Sequence, residues 1–248
     1  MELVRRGLAP TRSEARRLVG DGSIVVRGVP TPKPATLVGR DTPITMSDPG
    51  PGYVGRGALK LKGALDAFEV EVTGRRVLDA GASTGGFTQL LLERGADRVV
   101  ALDVGHGQLD YGLRHDGRVD VMERTNLRHV TPEETGGRFP LIVADLSFIS
   151  LCTVSDALAG LAEPGADLIL LVKPQFEAGR GSVGRGGIVR DDEVRRMAIE
   201  KVLSCLDTAG LGAVGLTPSP VPGAGGNREV FVWCRAGAPR SSQLEVPA

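Results

Sequence analysis

Cysteine is nearly absent from this sequence: Cys152, Cys205 and Cys234 are the only three in 248 residues. They are odd in number, far apart and never in a C-x-x-C pair. That argues against a disulfide framework or a zinc site, so no metal is expected, and a reducing compartment fits best. Aromatic residues are scarce too, at 4%. Long apolar runs are missing: stretches such as Leu168 to Val172 fall far short of the ~20 residues that cross a bilayer. The N-terminus is charged and has no apolar core, so no signal peptide is visible. These absences point to a cytoplasmic protein with no membrane partner. Net charge is zero, which taken alone speaks against nucleic acid.

The zero is an average. Residues 1–40 carry Arg5, Arg6, Arg12, Arg16, Arg17, Arg27, Lys33 and Arg40 against only Glu2, Glu14 and Asp21. Phosphate binding follows local charge density, not the whole-chain sum. Thr11-Arg12-Ser13-Glu14 has capping-box spacing and predicts a helix to about Val19. Gly20-Asp21-Gly22 stops it, and Ser23 to Gly28 reads as a strand and turn, with a further strand over Thr42 to Met46. Asp48-Pro49-Gly50-Pro51-Gly52 is turn-rich. Residues 1–47 are therefore read as a small module, 48–56 as a linker, 57–235 as the main domain and 236–248 as an unstructured tail.

From Gly57 onward, helical and apolar strand patterns alternate. Helices are predicted over Gly57 to Phe68, from the glycine-rich turn to Glu93, and over Asp191 to Ala209. Strands are predicted over Arg76 to Asp79, Val99 to Asp103, Val119 to Met122, Leu141 to Asp145, Leu168 to Lys173, Val214 to Thr217 and Val230 to Cys234. This alternation implies an α/β fold with a mostly parallel sheet covered on both faces.

The sharpest motif is Leu78-Asp79-Ala80-Gly81-Ala82-Ser83-Thr84-Gly85-Gly86-Phe87, between a buried strand and a helix. A doubly wound sheet binds nucleotide-like cofactors at that place. A dinucleotide fingerprint needs glycine where Ser83 stands, and a P-loop needs lysine after Gly86. Neither is present, which disfavours a nicotinamide-dependent oxidoreductase. S-adenosylmethionine has no phosphate and carries a charged amino-acid moiety, which an acidic Asp79 suits. Asp103 ends the next strand, where a carboxylate can bind ribose hydroxyls, and Asn126 is placed to approach adenine. The expected cofactor-binding set is Asp79, Gly81, Ser83, Gly85, Gly86, Phe87, Asp103, Asn126 and Asp145.

Asp145 and Lys173 end two further strands, and Pro174 keeps the chain extended after Lys173. Lys60 lies on the first long helix, and Glu229 enters the last strand. Five segments carry a family resemblance in order: Arg56 to Leu61, Leu78 to Phe87, Val143 to Ser150, Leu171 to Glu177 and Gly226 to Glu229. On these the chain resembles the TlyA family of ribosomal RNA 2′-O-methyltransferases, also labelled hemolysins, whose catalytic domain is FtsJ-like. The resemblance implies a Rossmann-like class I methyltransferase fold with a small N-terminal α+β RNA-binding domain. It implies S-adenosyl-L-methionine as cofactor, ribosomal RNA or ribosomal subunits as partner, and a catalytic tetrad of Lys60, Asp145, Lys173 and Glu229. The acceptor would be a cytidine ribose. Few residues precede Leu3, so the module's first helix is expected to be short and the large-subunit site favoured.

Lys173 is then the candidate general base, with a pKa that must fall below ~10.4. Arg5, Arg6, Arg12, Arg16, Arg17 and Arg27 would contact phosphates without reading sequence. The rivals are a membrane-active hemolysin, for which no amphipathic apolar-basic segment stands out, and an RNA-binding protein with a dead catalytic domain, which the intact tetrad disfavours.

Overall fold

The structure is a computed structural model that describes residues 2–9, 11–20, 23–26, 29–30, 35–39, 42–46, 52–179, 181, 183–184 and 187–247. The N-terminal part holds α1 (Glu2–Arg5), α2 (Arg12–Gly20) and a three-stranded antiparallel sheet of β1 (Ile24–Val26), β2 (Val29–Pro30) and β3 (Ile44–Met46), in order β2-β1-β3. Leu3, Ala9, Ala15, Leu18, Val19 and Ile24 form its own small core. Helix α2 starts where the capping signal puts it, with the Thr11 carbonyl accepting from the Ala15 amide at 3.0 Å.

The remainder is one α/β/α layered unit. Its elements are α3 (Gly57–Phe68), β4 (Arg76–Ala80), α4 (Gly86–Glu93), β5 (Arg98–Leu102), α5 (Tyr111–Arg114), β6 (Val119–Met122), β7 (Phe139–Ala144), α6 (Leu151–Leu161), β8 (Ala162–Val172), α7 (Pro174–Glu177), α8 (Asp192–Thr208), β9 (Leu211–Pro218) and β10 (Val230–Ala236). The seven strands run β6-β5-β4-β7-β8-β10-β9. The pairs from β6 through β8 are parallel, while β10 is antiparallel to both β8 and β9.

The central strands are apolar on both faces because helices cover both. Leu158, Leu161, Val202 and Leu206 from α6 and α8 close one face. Leu61, Leu65, Leu90 and Leu91 from α3 and α4 close the other. Each such fully buried leucine contributes roughly 1.5–3 kcal/mol relative to exposure. Strand order reverses between β4 and β7, so the carboxyl ends of these strands form the crevice where such folds bind ligands.

Two expectations are corrected here. Residues 236–248 are not an unstructured tail across their described part. The Gly237 amide donates to the Gly210 carbonyl at 2.8 Å and the Ser241 amide to the Ala213 carbonyl at 2.9 Å. Arg240 pairs with Glu200 at 2.8 Å, and Leu244 and Val246 pack on the core. Strand β9 is a sheet edge with backbone groups left to satisfy, and the tail covers it. Cysteine pairing is the second correction: Cys152 on α6 and Cys205 on α8 form a disulfide, with Cα atoms 5.2 Å apart. The two lie 53 residues apart, and only the packing of α6 on α8 makes them neighbours.

Candidate methyl-transfer site

The glycine loop turns out of β4 at the sheet's carboxyl edge. Gly81 (φ 89°) passes so close to the segment that follows β7 that a Cβ would lie 2.7 Å from the Asp145 carbonyl oxygen. Gly86 opens α4 against α3, where a Cβ would stand 3.0 Å from the Ala58 amide nitrogen. Gly85 caps that helix in the left-handed region. Asp103 follows β5 and ties the loop down: its carboxylate accepts from the Ser83 amide at 2.9 Å and the Gly105 amide at 2.6 Å.

Asp79 is fully buried. One carboxylate oxygen accepts from the Thr88 hydroxyl at 2.6 Å. The other, Oδ1, is buried and has no partner among the described residues. Burial pushes this carboxyl up to about 7 against the pull of Thr88, with the Asp145 and Asp103 charges adding to the rise. An orphaned, desolvated acceptor beside a glycine loop is what an ammonium group would satisfy.

Two further members of the expected cofactor set do other work. The Phe87 side chain is buried in the core beside Phe231, with ring centres 6.3 Å apart. The Asn126 side-chain oxygen accepts from the Arg128 amide at 3.1 Å and caps the short 3-10 turn Leu127–His129.

The four tetrad residues arrive from four elements and form two ion pairs. Lys60 on α3 donates to Glu229 at 2.6 Å, both being buried. Lys173, at the end of β8, lies 2.6 Å from Asp145, just past β7. Gln175 bridges toward the first pair, donating to Glu229 at 3.3 Å. Burial alone would push the Asp145 carboxyl up, but the charges of Lys173 and Lys60 outweigh it and hold the group below its ordinary value. Lys60 therefore acts on both carboxylates, and the two pairs are one electrostatic unit.

Several residues here escaped the sequence reading. The Ser147 hydroxyl accepts from Lys173 at 2.8 Å. Glu177 anchors the Lys173 segment by accepting from the Ser150 hydroxyl and, at 2.8 Å, the Leu151 amide. Phe148 is 91% exposed, with a φ of 65°, and its ring centre is 5.2 Å from that of Phe176. Phe176 in turn lies under the Lys173 ammonium, 5.9 Å from its ring centre, so the two rings stand beside the Lys173–Asp145 pair. The pattern Asp-Leu-Ser-Phe at residues 145–148 was the available signal: Phe148 stands four residues past the end of β7, in the loop that follows Asp145.

The basic residues of the N-terminal part divide. Arg6 is committed internally: it donates to Glu2 at 2.8 Å, to the Thr42 carbonyl at 2.7 Å and to the Gly39 carbonyl at 3.1 Å. These bonds tie it to Gly39 and Thr42. Arg5 is exposed and bonds Glu2 at 2.8 Å, while Arg12 and Arg16 are exposed on α2. Arg27 and the side chain of Arg17 lie outside the described residues. No described helix is long and apolar enough to cross a membrane.

Residues 53–236 match the model of the FtsJ-like methyltransferase family. The 16S/23S rRNA (cytidine-2′-O)-methyltransferase TlyA of Mycobacterium tuberculosis is 54% identical over 241 residues, covering 97% of this chain and 90% of that protein. The chain belongs to the TlyA family of FtsJ-like methyltransferases. Hemolysin A of Brachyspira hyodysenteriae is 39% identical, covering 90% of this chain and 93% of its own. A Lactococcus lactis structure named for hemolysin is 44% identical, with a TM-score of 0.75 over 78% of this chain and 94% of that one. The fold class expected from the sequence, a Rossmann-like α/β fold with a mostly parallel sheet, is the one observed, and the antiparallel β10 between β8 and β9 is a detail the sequence did not announce.

Proposed function

We propose that this TlyA-family chain transfers a methyl group from S-adenosylmethionine to the 2′-hydroxyl of a cytidine ribose in ribosomal RNA, in the cytoplasm. The observation that carries this is the assembly of both ion pairs, Lys60–Glu229 and Lys173–Asp145, at the carboxyl edge beside the glycine loop. An RNA-binding protein with a dead catalytic domain has no reason to keep two ion pairs buried there at the desolvation cost such pairs carry.

S-adenosylmethionine, when bound, supplies a methyl group activated by a sulfonium. Asp79 would hold its ammonium, the Gly81–Gly86 turn its amino-acid moiety, and Asp103 its ribose. Lys173, oriented by Asp145 and Ser147, would accept the proton that the ribose hydroxyl must lose. The exposed ring of Phe148, beside the partly buried Phe176, suits an unstacked base, because single-stranded RNA is held largely on aromatic faces. Residues 1–47 would hold the RNA backbone through Arg5, Arg12 and Arg16, and residues 48–56 would link them to the catalytic domain.

The deciding experiment maps 2′-O-methyl groups in both ribosomal RNAs from cells with and without the gene. At least one cytidine methyl should vanish on deletion and return with the intact chain, but not with a Lys173 variant. Unchanged maps in both subunits would remove the proposal.

The buried Asp79 adds a pH dependence. Its pKa in the folded, ligand-free protein, about 7, is raised above the unfolded value. It therefore contributes stability at low pH that is lost as pH rises through 7. An ammonium ligand needs the carboxylate, so cofactor affinity should move the opposite way and tighten about ten-fold from pH 6 to pH 8. Calorimetric titration with S-adenosylhomocysteine would show this, and Asp79→Asn should flatten the slope. A flat profile in the unmodified protein would detach Asp79 from the ligand's ammonium.

A further inference from the structure

We infer that Cys152 and Cys205 form a reversible thiol–disulfide switch whose state reaches the Lys173 segment through Lys201 and Glu177. The pair joins α6 to α8, and both cysteines are partly exposed. Cys152 is the second residue of α6, whose N-terminus is capped by Ser150. Cys234 is the built-in contrast. It is buried in β10, its thiol is pushed up to about 12 by burial, and it has no sulfur partner.

The connection to the site is short. Cys205 and Lys201 lie one turn apart on α8 and so share a face. The Cys152 sulfur is 3.7 Å from the Lys201 carbonyl oxygen, within reach of an S–H bond once reduced. The Lys201 ammonium donates to the Glu177 carbonyl at 3.1 Å. Glu177 closes α7, which begins directly after Lys173, and its carboxylate receives the Ser150 hydroxyl and the Leu151 amide from the start of α6. The bridge, α6, α7 and α8 therefore meet at one node, and the backbone that presents Lys173 leaves from it.

Ribosomal RNA, the substrate proposed above, lies in a reducing cytoplasm, and there such a bond is not a permanent staple but a responsive one. The co-reactant is a low-molecular-weight disulfide, RSSR. The Cys152 thiolate attacks one of its sulfurs and expels RS⁻. The Cys205 thiolate then attacks the mixed disulfide, forming the protein bond and expelling a second RS⁻. Two electrons pass from the cysteines to the oxidant, and the two cysteine protons end on the two released thiols.

The test equilibrates the full chain in buffers of graded reduced to oxidised glutathione, then alkylates it under denaturing conditions for mass spectrometry. Two alkyl groups of three should be lost together on oxidation, with Cys234 still alkylated. The thermal midpoint should rise by about 5–10 °C in the oxidised form. Cys152→Ser and Cys205→Ser should both abolish that redox response. The catalytic arm rests on the methyltransferase reading. There kcat for RNA methylation should fall by at least about five-fold on reduction, with the cofactor KM unchanged. In Lys201→Ala the bridge should still form while the redox dependence of kcat is lost. Single mixed disulfides with glutathione in place of the internal bond would overturn the switch. Equal kcat in both states would overturn its link to Lys173. Absence of methyl transfer in every state would overturn the catalytic reading, and the alkylation and melting results would still decide the bridge.

Discussion

Lys173→Ala is expected to lower kcat for RNA methylation by about 10²–10⁴-fold, the range over which a positioned acid or base acts, while changing cofactor affinity less than about three-fold. On the proposed assignment the two effects separate, because Lys173 would serve the reacting hydroxyl while the glycine loop, Asp79 and Asp103 would serve the cofactor. The lysine is also one half of an ion pair with Asp145 at 2.6 Å, so its loss removes a charge that keeps that carboxylate ionised. Lys60, which also acts on Asp145, limits the damage. Lys173→Met retains the aliphatic volume, and its thermal midpoint should stay close to that of the parent. Labelled methyl transfer to ribosomal subunits under saturating cofactor gives kcat, and calorimetry gives affinity. Activity within ten-fold of the parent would assign the rate to positioning alone. A parallel loss of cofactor affinity would mean that Lys173 serves the cofactor and not the hydroxyl.

The sequence disclosed the strands and their ends more readily than anything else. Parallel strands buried on both faces read as continuous apolar runs, so Val99 to Leu102 and Leu141 to Ala144 were visible, and a polar residue after each run, Asp103 or Asp145, had to fall at the edge of the sheet. Helix α6 was not visible. Its sequence, Leu151 to Leu161, follows Phe148-Ile149-Ser150, where loop and helix share the same apolar content and only the Ser150 cap marks a boundary. What individual side chains touch was legible least. Asp103 had the expected position, yet its oxygens also tie down Ser83 and Gly105. Phe87 belonged to the cofactor motif by sequence and to the core by packing. Arg6 looked like an RNA contact, because nothing local shows that the Thr42 and Gly39 carbonyls will reach it. Glu177, Ser147 and the Cys152–Cys205 bridge depend on contacts across 26 to 53 residues of chain. A motif can state that a residue stands at a strand end, but the partner is set by how the layers pack.

Lys60→Ala is expected to cost about 3–5 kcal/mol of stability, because it leaves Glu229 as an uncompensated buried charge. For a chain of this size that corresponds to a fall in thermal midpoint of roughly 10 °C or more. Glu229 has only 1% of its side chain exposed, and Gln175, at 3.3 Å, is a weak substitute for an ammonium. The double variant Lys60→Met, Glu229→Leu removes both charges and replaces them with apolar groups of similar size. It should recover most of the lost stability, since replacing a whole buried pair is often neutral. Methyl transfer should nevertheless stay at least about 10²-fold below the parent, the lower bound for losing a positioned polar group. Stability and activity thus part company in the double variant, and that separation is the diagnostic result. A stable double variant with parental activity would make the pair a packing feature, and would reduce the working tetrad to Asp145 and Lys173. Persistent instability would instead show that Lys60 and Glu229 are held by more than each other. In the expected case the fold carries a buried ion pair that an apolar one could replace for stability, and the chemistry at the carboxyl edge is the reason it is kept.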